Sequence, residues 1–181
     1  EPWEYVDLTH NAENRYIGLN NGILDQTSIV FGRRGSLLHI NTKEKAVTHL
    51  ADRFGEDGYR IIVVYSGYSR ELTTMGYNSR VDECRTAAEQ LSLLAGKEPV
   101  RLLSDVPFED YQRFKHGLES HLERRCEHFF SESQRVRDGV AAWTSRGIEE
   151  FGHMMNESCK SSMEKYECGI QAILDLQQIV S

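Results

Sequence analysis

The spacing of apolar residues divides the chain into an early part with short extended runs and a later part with helical periodicity. Before position 67, β-branched and aromatic residues form short runs between turn residues, which predicts strands. After position 79, apolar residues recur every three or four positions, which predicts helices. Strands and helices that are separated along a chain are typical of an α+β fold rather than of an alternating parallel sheet. We therefore predict an α+β fold.

The predicted strands are short, and a short helix in residues 5–15 precedes them. Residues 27–31 and 36–40 are rich in β-branched and aliphatic side chains, and the turn-like segment between them predicts a hairpin. Residues 46–50 form a weaker extended run. The strongest strand prediction falls on residues 60–65, which include four consecutive aliphatic side chains.

The helices predicted after position 79 follow one another with few interruptions. The first begins near Ser79 and is closed by Gly96 and Pro99, and two later helices are expected in residues 148–157 and 169–180. A longer helix between them is predicted by a continuous apolar stripe, which we expect to face the core. The stripe consists of Leu118, Leu122, Cys126, Phe129, Val136, Val140 and Trp143.

The composition is that of an ordinary globular protein, because 39% of the 181 residues are hydrophobic and 27% are charged. The net charge of -7 disfavours a nucleic-acid surface, which needs concentrated positive charge. The short basic pairs, Arg33 with Arg34 and Arg124 with Arg125, are expected on the solvated surface. No apolar run approaches the length of about 20 residues that crosses a membrane. We therefore expect neither a nucleic acid nor a membrane as a partner.

The cysteines, at positions 84, 126, 159 and 168, form no CxxC pair, and we expect reduced thiols in a cytoplasmic protein. His116, His121 and His128 are expected on the long helix, where structural roles are favoured over a metal site. The chain begins at Glu1 without an initiator methionine, which indicates a fragment or a processed chain. No Walker-type phosphate loop and no GxSxG nucleophile motif occurs.

The polar loop around Gly22 is the first candidate for chemistry. A glycine three residues before Asp25, on a loop that enters a predicted strand, lets the backbone approach a ligand while the carboxylate faces the same space. A carboxylate so placed accepts a proton from a ligand hydroxyl within hydrogen-bond distance. The competing interpretation is that Asp25 caps a helix or stabilises a turn, and the residues alone leave both interpretations open.

Tyr77 is the second candidate, placed just before a predicted helix with Asn78 or Ser79 as its N-cap. Its ring is suited to packing on the face of a sugar while its hydroxyl forms a hydrogen bond, but a tyrosine here would equally seal the helix against a sheet. Asp82 and Glu83 would fall in the first helical turn, where carboxylates suit the helix dipole.

Several segments, in this order and at fitting separations, resemble the motifs of galactokinases and related sugar kinases of the GHMP superfamily. Residues 22–26 (GILDQ) and 77–84 (YNSRVDEC) resemble G-[IL]-[ML]-D-Q and Y-N-x-R-x-x-E-C. Residues 125–136 (RCEHFFSESQRV) and 151–158 (FGHMMNES) resemble R-x-x-H-x-x-x-E-x-x-R-V approximately and F-G-x-L-M-x-E-S in most positions. Residues 166–169 (YECG) look more like galacturonokinases, because galactokinases usually continue Y-E-V-S.

This resemblance implies an ATP-dependent sugar-1-kinase that uses Mg²⁺ and transfers the γ-phosphoryl group to the anomeric hydroxyl of D-galacturonate. It implies that Asp25 faces the anomeric hydroxyl, that Gly22 lets the backbone approach the sugar, and that Tyr77 contacts a sugar hydroxyl. It also implies the end of an N-terminal lobe in residues 1–57 and a helix-rich C-terminal lobe in residues 58–181.

The phosphate loops of that superfamily would lie before Glu1 and after Ser181, so the resemblance implies a piece that is inactive alone. Galactokinase, or another anomeric sugar kinase, is the alternative within the class, and comparing galactose with galacturonate as substrate separates the two. A non-catalytic kinase-like sugar sensor and a helical interaction module are alternatives from other classes. Sugar binding without turnover would indicate a sensor. Exposure of the apolar stripe of the long helix would indicate an interaction module. The residues leave the oligomeric state open.

Overall fold

The computed structural model describes residues 1–55, 58–67 and 76–180 of the chain. These residues form mostly α-helix with one antiparallel hairpin, in keeping with the α+β class predicted from the sequence. The helices are α1 (Pro2–Asn11), α2 (Leu24–Phe31), α3 (Tyr77–Leu94), α4 (Phe108–Phe114), α5 (Ser120–Thr144), α6 (Ile148–Glu164) and α7 (Gln171–Val180). The strands are β1 (Ser36–Asn41) and β2 (Ala46–Ala51). A π-helical turn, Ala12–Ile17, follows α1, and short 3-10 turns, Leu103–Asp105 and Lys115–Gly117, precede α4 and α5.

The helices predicted after position 79 are confirmed as α3, α5, α6 and α7, with α6 extending beyond the expected residues 148–157 to Glu164. The predicted N-terminal helix is present as α1 and the π-helical turn. Helix α4 was not predicted, because its seven residues span too few turns to show an apolar period. None of the described helices is long and apolar enough to cross a membrane.

Residues 27–31 are helical, so the strand predicted there, and its hairpin with residues 36–40, are wrong. They belong to α2, which packs against α1 with the ring centroids of Trp3 and Phe31 4.7 Å apart. A run of five residues is too short for its pattern to separate a strand from a helix. Thr27 is fully buried where α2 packs against α1, and this packing favours a helix over a strand.

The observed hairpin is formed by β1 and β2, which confirms the strand predicted in residues 36–40 and the weaker run in residues 46–50. The strands pair in antiparallel register from Ser36 opposite Ala51 to Asn41 opposite Ala46. The hairpin is joined to α5, because the indole N–H of Trp143 donates a hydrogen bond to the carbonyl of Ala51 at 3.1 Å. The hairpin therefore has a fixed position relative to the long helix.

Residues 60–65, the strongest strand prediction, have no regular secondary structure. A strand requires a neighbour that pairs with its backbone, and within the described residues β1 and β2 pair only with each other. The side chains of the run are correspondingly exposed, by 82% for Ile61 and 92% for Val63. The lobe boundary was expected between residues 57 and 58. Residues 56–57 lie outside the described residues, so this boundary stays a prediction.

The main hydrophobic core lies between α3, α4 and α5. Its buried residues are Ala87, Ala88, Leu91, Leu103, Val106, Tyr111, Leu118, Leu122, Cys126 and Phe130. The stripe predicted on the long helix was expected to face the core, and four of its residues are buried: Leu118, Leu122, Cys126 and Trp143. Val136 departs from the stripe, because half of its side chain is exposed. The stripe is therefore mainly core and not a surface for a partner helix.

Truncation of Leu91 tests this assignment of the core. Leu91→Ala should lower the free energy of unfolding by about 2 to 5 kcal/mol, because it removes a fully buried side chain and leaves a cavity. Leu93→Ala, on the same helix at a position that is 62% exposed, is the matched control and should change stability little. Urea unfolding measures both, and equal losses would contradict the core described here.

All four cysteines are reduced thiols, in agreement with the sequence, and two of them belong to or pack against the core. Burial raises the pKa of the Cys84 thiol to about 11 and that of the Cys126 thiol to about 12. In the unfolded chain these thiols ionise near pH 9. The stability that they contribute is therefore fully present below pH 9 and is lost as the pH rises towards the pKa values of the folded state.

This linkage predicts that the free energy of unfolding falls between pH 9 and pH 11, and that Cys126→Ala reduces the fall. The measurement is urea unfolding of both proteins at several pH values in this range. Leu93→Ala, at an exposed position, is the control, and its free energy of unfolding should vary with pH as that of the unsubstituted chain does. Identical pH slopes for the unsubstituted chain and Cys126→Ala would refute the linkage.

Candidate functional site

The loop before α2 is held by polar side chains of α1 and the π-helical turn. Gly18, with a φ of 81°, ends that turn in the left-handed region that glycine adopts without strain. The carboxylate of Glu13 accepts hydrogen bonds from the side-chain amides of Asn21 and Gln26. A ring nitrogen of His10 lies 2.9 Å from the carbonyl oxygen of Asn21. The loop that contains Gly22 thus has a defined conformation.

Asp25 lies in the first turn of α2, so the loop enters a helix and not the predicted strand. Its side chain is exposed, and a carboxylate in a first helical turn is favoured by the helix dipole. Asp25 is not the N-cap, which is Ile23. Gly22 is also exposed, and no atom lies within 4 Å of the position that a Cβ would occupy. Both residues therefore border open space.

Tyr77 is the first residue of α3 and is half-buried. Its pKa is raised, first by burial, then by the negative charge of Asp25 and by Cys168. Asp25 therefore acts electrostatically on Tyr77, another of the predicted site residues. Residues 72–75, which precede Tyr77 in the candidate segment, lie outside the described residues.

Two details predicted for the start of α3 are wrong. The helix begins at Tyr77, with Gly76 as its N-cap, so neither Asn78 nor Ser79 caps it. Because the start is earlier than expected, Asp82 and Glu83 lie in the second turn and not in the first. Glu83 instead forms ion pairs, at 2.8 Å with Arg80 and at 2.6 Å with Arg125.

Asn78 connects α3 to the loop before α2. Its side-chain amide N–H donates a hydrogen bond to the carbonyl of Gly18 at 2.9 Å. Its side-chain oxygen accepts a hydrogen bond from the backbone N–H of Asn20, also at 2.9 Å. Since Asn78 follows Tyr77 directly, these bonds connect the loop of Gly22 to the helix that carries Tyr77. Sequence analysis placed Asn78 only as a helix cap and missed this contact.

Arg125 forms a buried ionic cluster on the other side of α3. Only 1% of its side chain is exposed. Its Nε donates to Glu83 at 2.6 Å, one terminal nitrogen donates to Glu167 at 2.6 Å, and the other donates to the carbonyl of Lys165. Burial acts to lower the pKa of Arg125, but the hydrogen bonds that it donates to Glu167 and Glu83 outweigh this effect, and the pKa is raised. The cluster thus joins α3 and α5 to the segment that follows α6.

The surface position predicted for Arg125 is therefore wrong, whereas Arg33 and Arg34 are exposed as expected. The sequence did contain a signal for its burial. Arg125 follows Leu122 by three positions and precedes Phe129 by four, so it lies on the apolar stripe of α5. A charged residue on such a stripe requires partners, which here are carboxylates from two other segments.

The segment after α6 is shaped by the same cluster. Glu167 has a φ of 55°, a backbone conformation that residues other than glycine seldom adopt, and Arg124 also donates to its carboxylate at 3.0 Å. The pKa of Glu167 is lowered mainly by the hydrogen bond from Arg125. Burial, followed by the charges of Cys84 and Tyr77, raises the pKa of the neighbouring Tyr166. Tyr166 and Cys168 thus interact electrostatically with Tyr77.

The described residues provide no metal centre. They contain no group of three or more histidine, cysteine or carboxylate side chains placed to hold an ion. His116 lies in a 3-10 turn before α5, where it pairs with Glu123 at 2.9 Å, and so it is not on the long helix as predicted. His128 is on α5, 2.9 Å from the Ser161 hydroxyl, and burial lowers its pKa. These contacts fit structural roles for both histidines.

Comparison with known proteins finds sugar kinases that are similar to this chain. No family model matches the chain. The chain is 38% identical over 181 residues to the galacturonokinase of Arabidopsis thaliana, a match that covers 99% of the chain and 43% of that relative. It is 30% identical over 168 residues to the galactokinase of Staphylococcus carnosus, covering 92% of the chain and 42% of the relative. It is 33% identical over 157 residues to the galactokinase of Clostridium perfringens, covering 86% and 39%.

The fold agrees with these similarities. The chain matches the crystal structure of Lactococcus lactis galactokinase complexed with galactose with a TM-score of 0.81 and 25% identity, over 95% of the chain and 43% of that protein. The comparisons therefore confirm the resemblance to galactokinase-like sugar kinases. The chain spans less than half the length of the curated relatives that it matches.

Removal of the buried guanidinium tests the ionic cluster. Arg125→Ala should lower the free energy of unfolding by about 3 kcal/mol, because it removes the one fully buried cation of the cluster and leaves Glu83 and Glu167 with only the more exposed Arg80 and Arg124. Arg137→Ala, at an exposed position of the same helix, is the matched control and should change stability little. Urea unfolding at neutral pH measures both. Equal stability of the two variants would contradict a structural role for the cluster.

Proposed function

We propose that this chain carries the sugar-facing part of an anomeric sugar kinase and that the sugar is D-galacturonate. The observation that carries the proposal is the pair of hydrogen bonds by which Asn78, next to Tyr77 on α3, holds the loop that leads into α2 and Asp25. Similarity to a galacturonokinase over 99% of the chain supports the class of reaction.

Three residues would have distinct tasks. Asp25 would orient the anomeric hydroxyl of the sugar and accept its proton as the phosphoryl group is transferred. The exposed position of Asp25 in the first turn of α2 leaves the carboxylate accessible. Gly22, with open space beside its Cα, would let the backbone approach the sugar. Tyr77 would pack its ring against the sugar and form a hydrogen bond through its hydroxyl.

ATP would be the second substrate and the phosphoryl donor, and Mg²⁺ would neutralise the charge of its phosphates. Neither is assigned to residues of this chain. The described residues do not fit a metal site, and the sequence contains no Walker-type phosphate loop. We therefore propose that these residues bind the sugar and neither ATP nor Mg²⁺. We also propose that they belong to a two-lobed fold whose lobes meet between residues 57 and 58.

Two observations favour galacturonate over galactose. The chain is 38% identical to the Arabidopsis thaliana galacturonokinase and 30% and 33% identical to the two galactokinases described above. Residues 166–169 also resemble galacturonokinases, and Cys168 in this segment lies near enough to Tyr77 to contribute to its raised pKa. Galactokinase is the second candidate, favoured by the match to the galactokinase structure that contains galactose.

A chimeric enzyme tests the proposal. This chain replaces the matched 43% of the Arabidopsis thaliana galacturonokinase, and phosphorylation of galacturonate and of galactose is measured with ATP and Mg²⁺. We expect galacturonate to be the better substrate. Asp25→Asn should lower kcat by about 10² to 10⁴-fold, because it removes the proton acceptor while keeping the size of the side chain.

The control for this prediction is Glu44→Gln, at an exposed position in the turn between β1 and β2, which should leave kcat unchanged. Turnover by the Asp25→Asn chimera at the unsubstituted rate would refute the role of Asp25. Preference for galactose over galacturonate would refute galacturonate as the substrate and favour the second candidate, a galactokinase. Binding of galacturonate without turnover in the unsubstituted chimera would refute the kinase assignment in favour of a sugar sensor.

A further inference from the structure

Asn78 is placed to determine where the loop of Gly22 lies. Its amide forms two hydrogen bonds to the loop, one to an acceptor on Gly18 and one from a donor on Asn20. Two bonds of opposite polarity to positions two residues apart fix both the distance and the orientation of the loop. An aspartate in the same position would lack the donor and would bring a carboxylate against the carbonyl of Gly18.

Within the described residues, the other side-chain hydrogen bonds of this loop return to the elements that precede it. Asn21 bonds to Glu13 and Asn14 of the π-helical turn and to His10 of α1. These bonds shape the loop but do not determine its distance from α3. The two bonds of Asn78 supply that connection.

From this geometry we propose that Asn78 is a positioning residue, which holds the loop of Gly22 and the start of α2 beside Tyr77 and so assembles the sugar-facing site. The inference rests on the proposed function of that site. Asn78 acts through the loop and does not touch the sugar. Because both hydrogen bonds are solvent-exposed and therefore contribute little to stability, loss of Asn78 should displace the loop without unfolding the chain.

The test is a double-mutant cycle on the titration of Tyr77. Asp25→Asn in the unsubstituted chain should lower the pKa of Tyr77, because it removes a nearby negative charge. In the Asn78→Ala background the same substitution should no longer change that pKa, because the loop has moved away. The pKa is measured by NMR of ¹³C-labelled tyrosine rings, with Tyr77→Phe assigning the resonance. If Asn78→Ala only lowered the stability of the chain, the molecules that remain folded would still show this coupling.

Ser79→Ala, at the next position of the same helical turn and with an exposed side chain, is the matched control. It should leave the effect of Asp25→Asn on Tyr77 intact. The exchange rate of the Asn20 amide should rise about tenfold in Asn78→Ala, because its acceptor is lost, and should stay unchanged in Ser79→Ala. An undiminished effect of Asp25→Asn in the Asn78→Ala background would overturn the proposal.

If circular dichroism shows that Asn78→Ala does not fold, Asn78→Asp takes its place in the test, because it keeps the acceptor for Asn20 but replaces the donor to Gly18 by a carboxylate oxygen that the carbonyl repels. It should weaken the coupling between Asp25 and Tyr77, and full coupling in this variant would overturn the proposal in that case.

Activity separates this inference from the proposed function. In the galacturonokinase chimera, Asn78→Ala should lower kcat on the order of 10²-fold, because a displacement of about 1 Å in a catalytic group has effects of this size. Coupling that disappears in Asn78→Ala, together with an inactive unsubstituted chimera, would sustain the positioning role and refute the kinase assignment. Coupling that persists in Asn78→Ala, together with an active chimera, would refute the positioning role alone.

Discussion

The buried guanidinium of Arg125 is the interaction on which the arrangement of the later helices depends. A charge removed from water is tolerated only when partners satisfy it, and Arg125 finds them on α3 and in the segment after α6. This requirement brings the segment of Glu167 against the second turn of α3, although α5 and α6 lie between them in the sequence. The unusual backbone conformation of Glu167 is maintained by the same contacts.

Helix α3 therefore receives a segment on each side of its first two turns. Asn78 holds the loop of Gly22 on one side, and Glu83 holds the segment of Cys168 through Arg125 on the other. Burial raises the pKa of Tyr77, and Asp25 and Cys168 raise it further. The proposed site, whose residues are far apart in the sequence, thus depends on polar contacts, while the apolar core between α3 and α5 supplies the rigid support.

The sequence predicted the helices well, because periodicities of three and four over long segments distinguish them from strands. It failed for residues 27–31 and 60–65, where a short apolar run has no period of its own and the outcome depends on which neighbour is present. Asp25 and Tyr77 were singled out from their local sequence, and the motif resemblance added the roles proposed for them but no geometry. Asn78 and Arg125 act through long-range contacts that spacing along a chain does not show.

The central claim, that the described residues form one side of a sugar site, is tested most directly by NMR titration of the ¹⁵N-labelled chain with D-galacturonate. The account predicts that the amide resonances of Gly22, Asp25 and Tyr77 shift together and with a common saturation. D-galactose should shift the same resonances at higher concentration. Shifts confined to residues remote from these three, or none at saturating sugar, would contradict it.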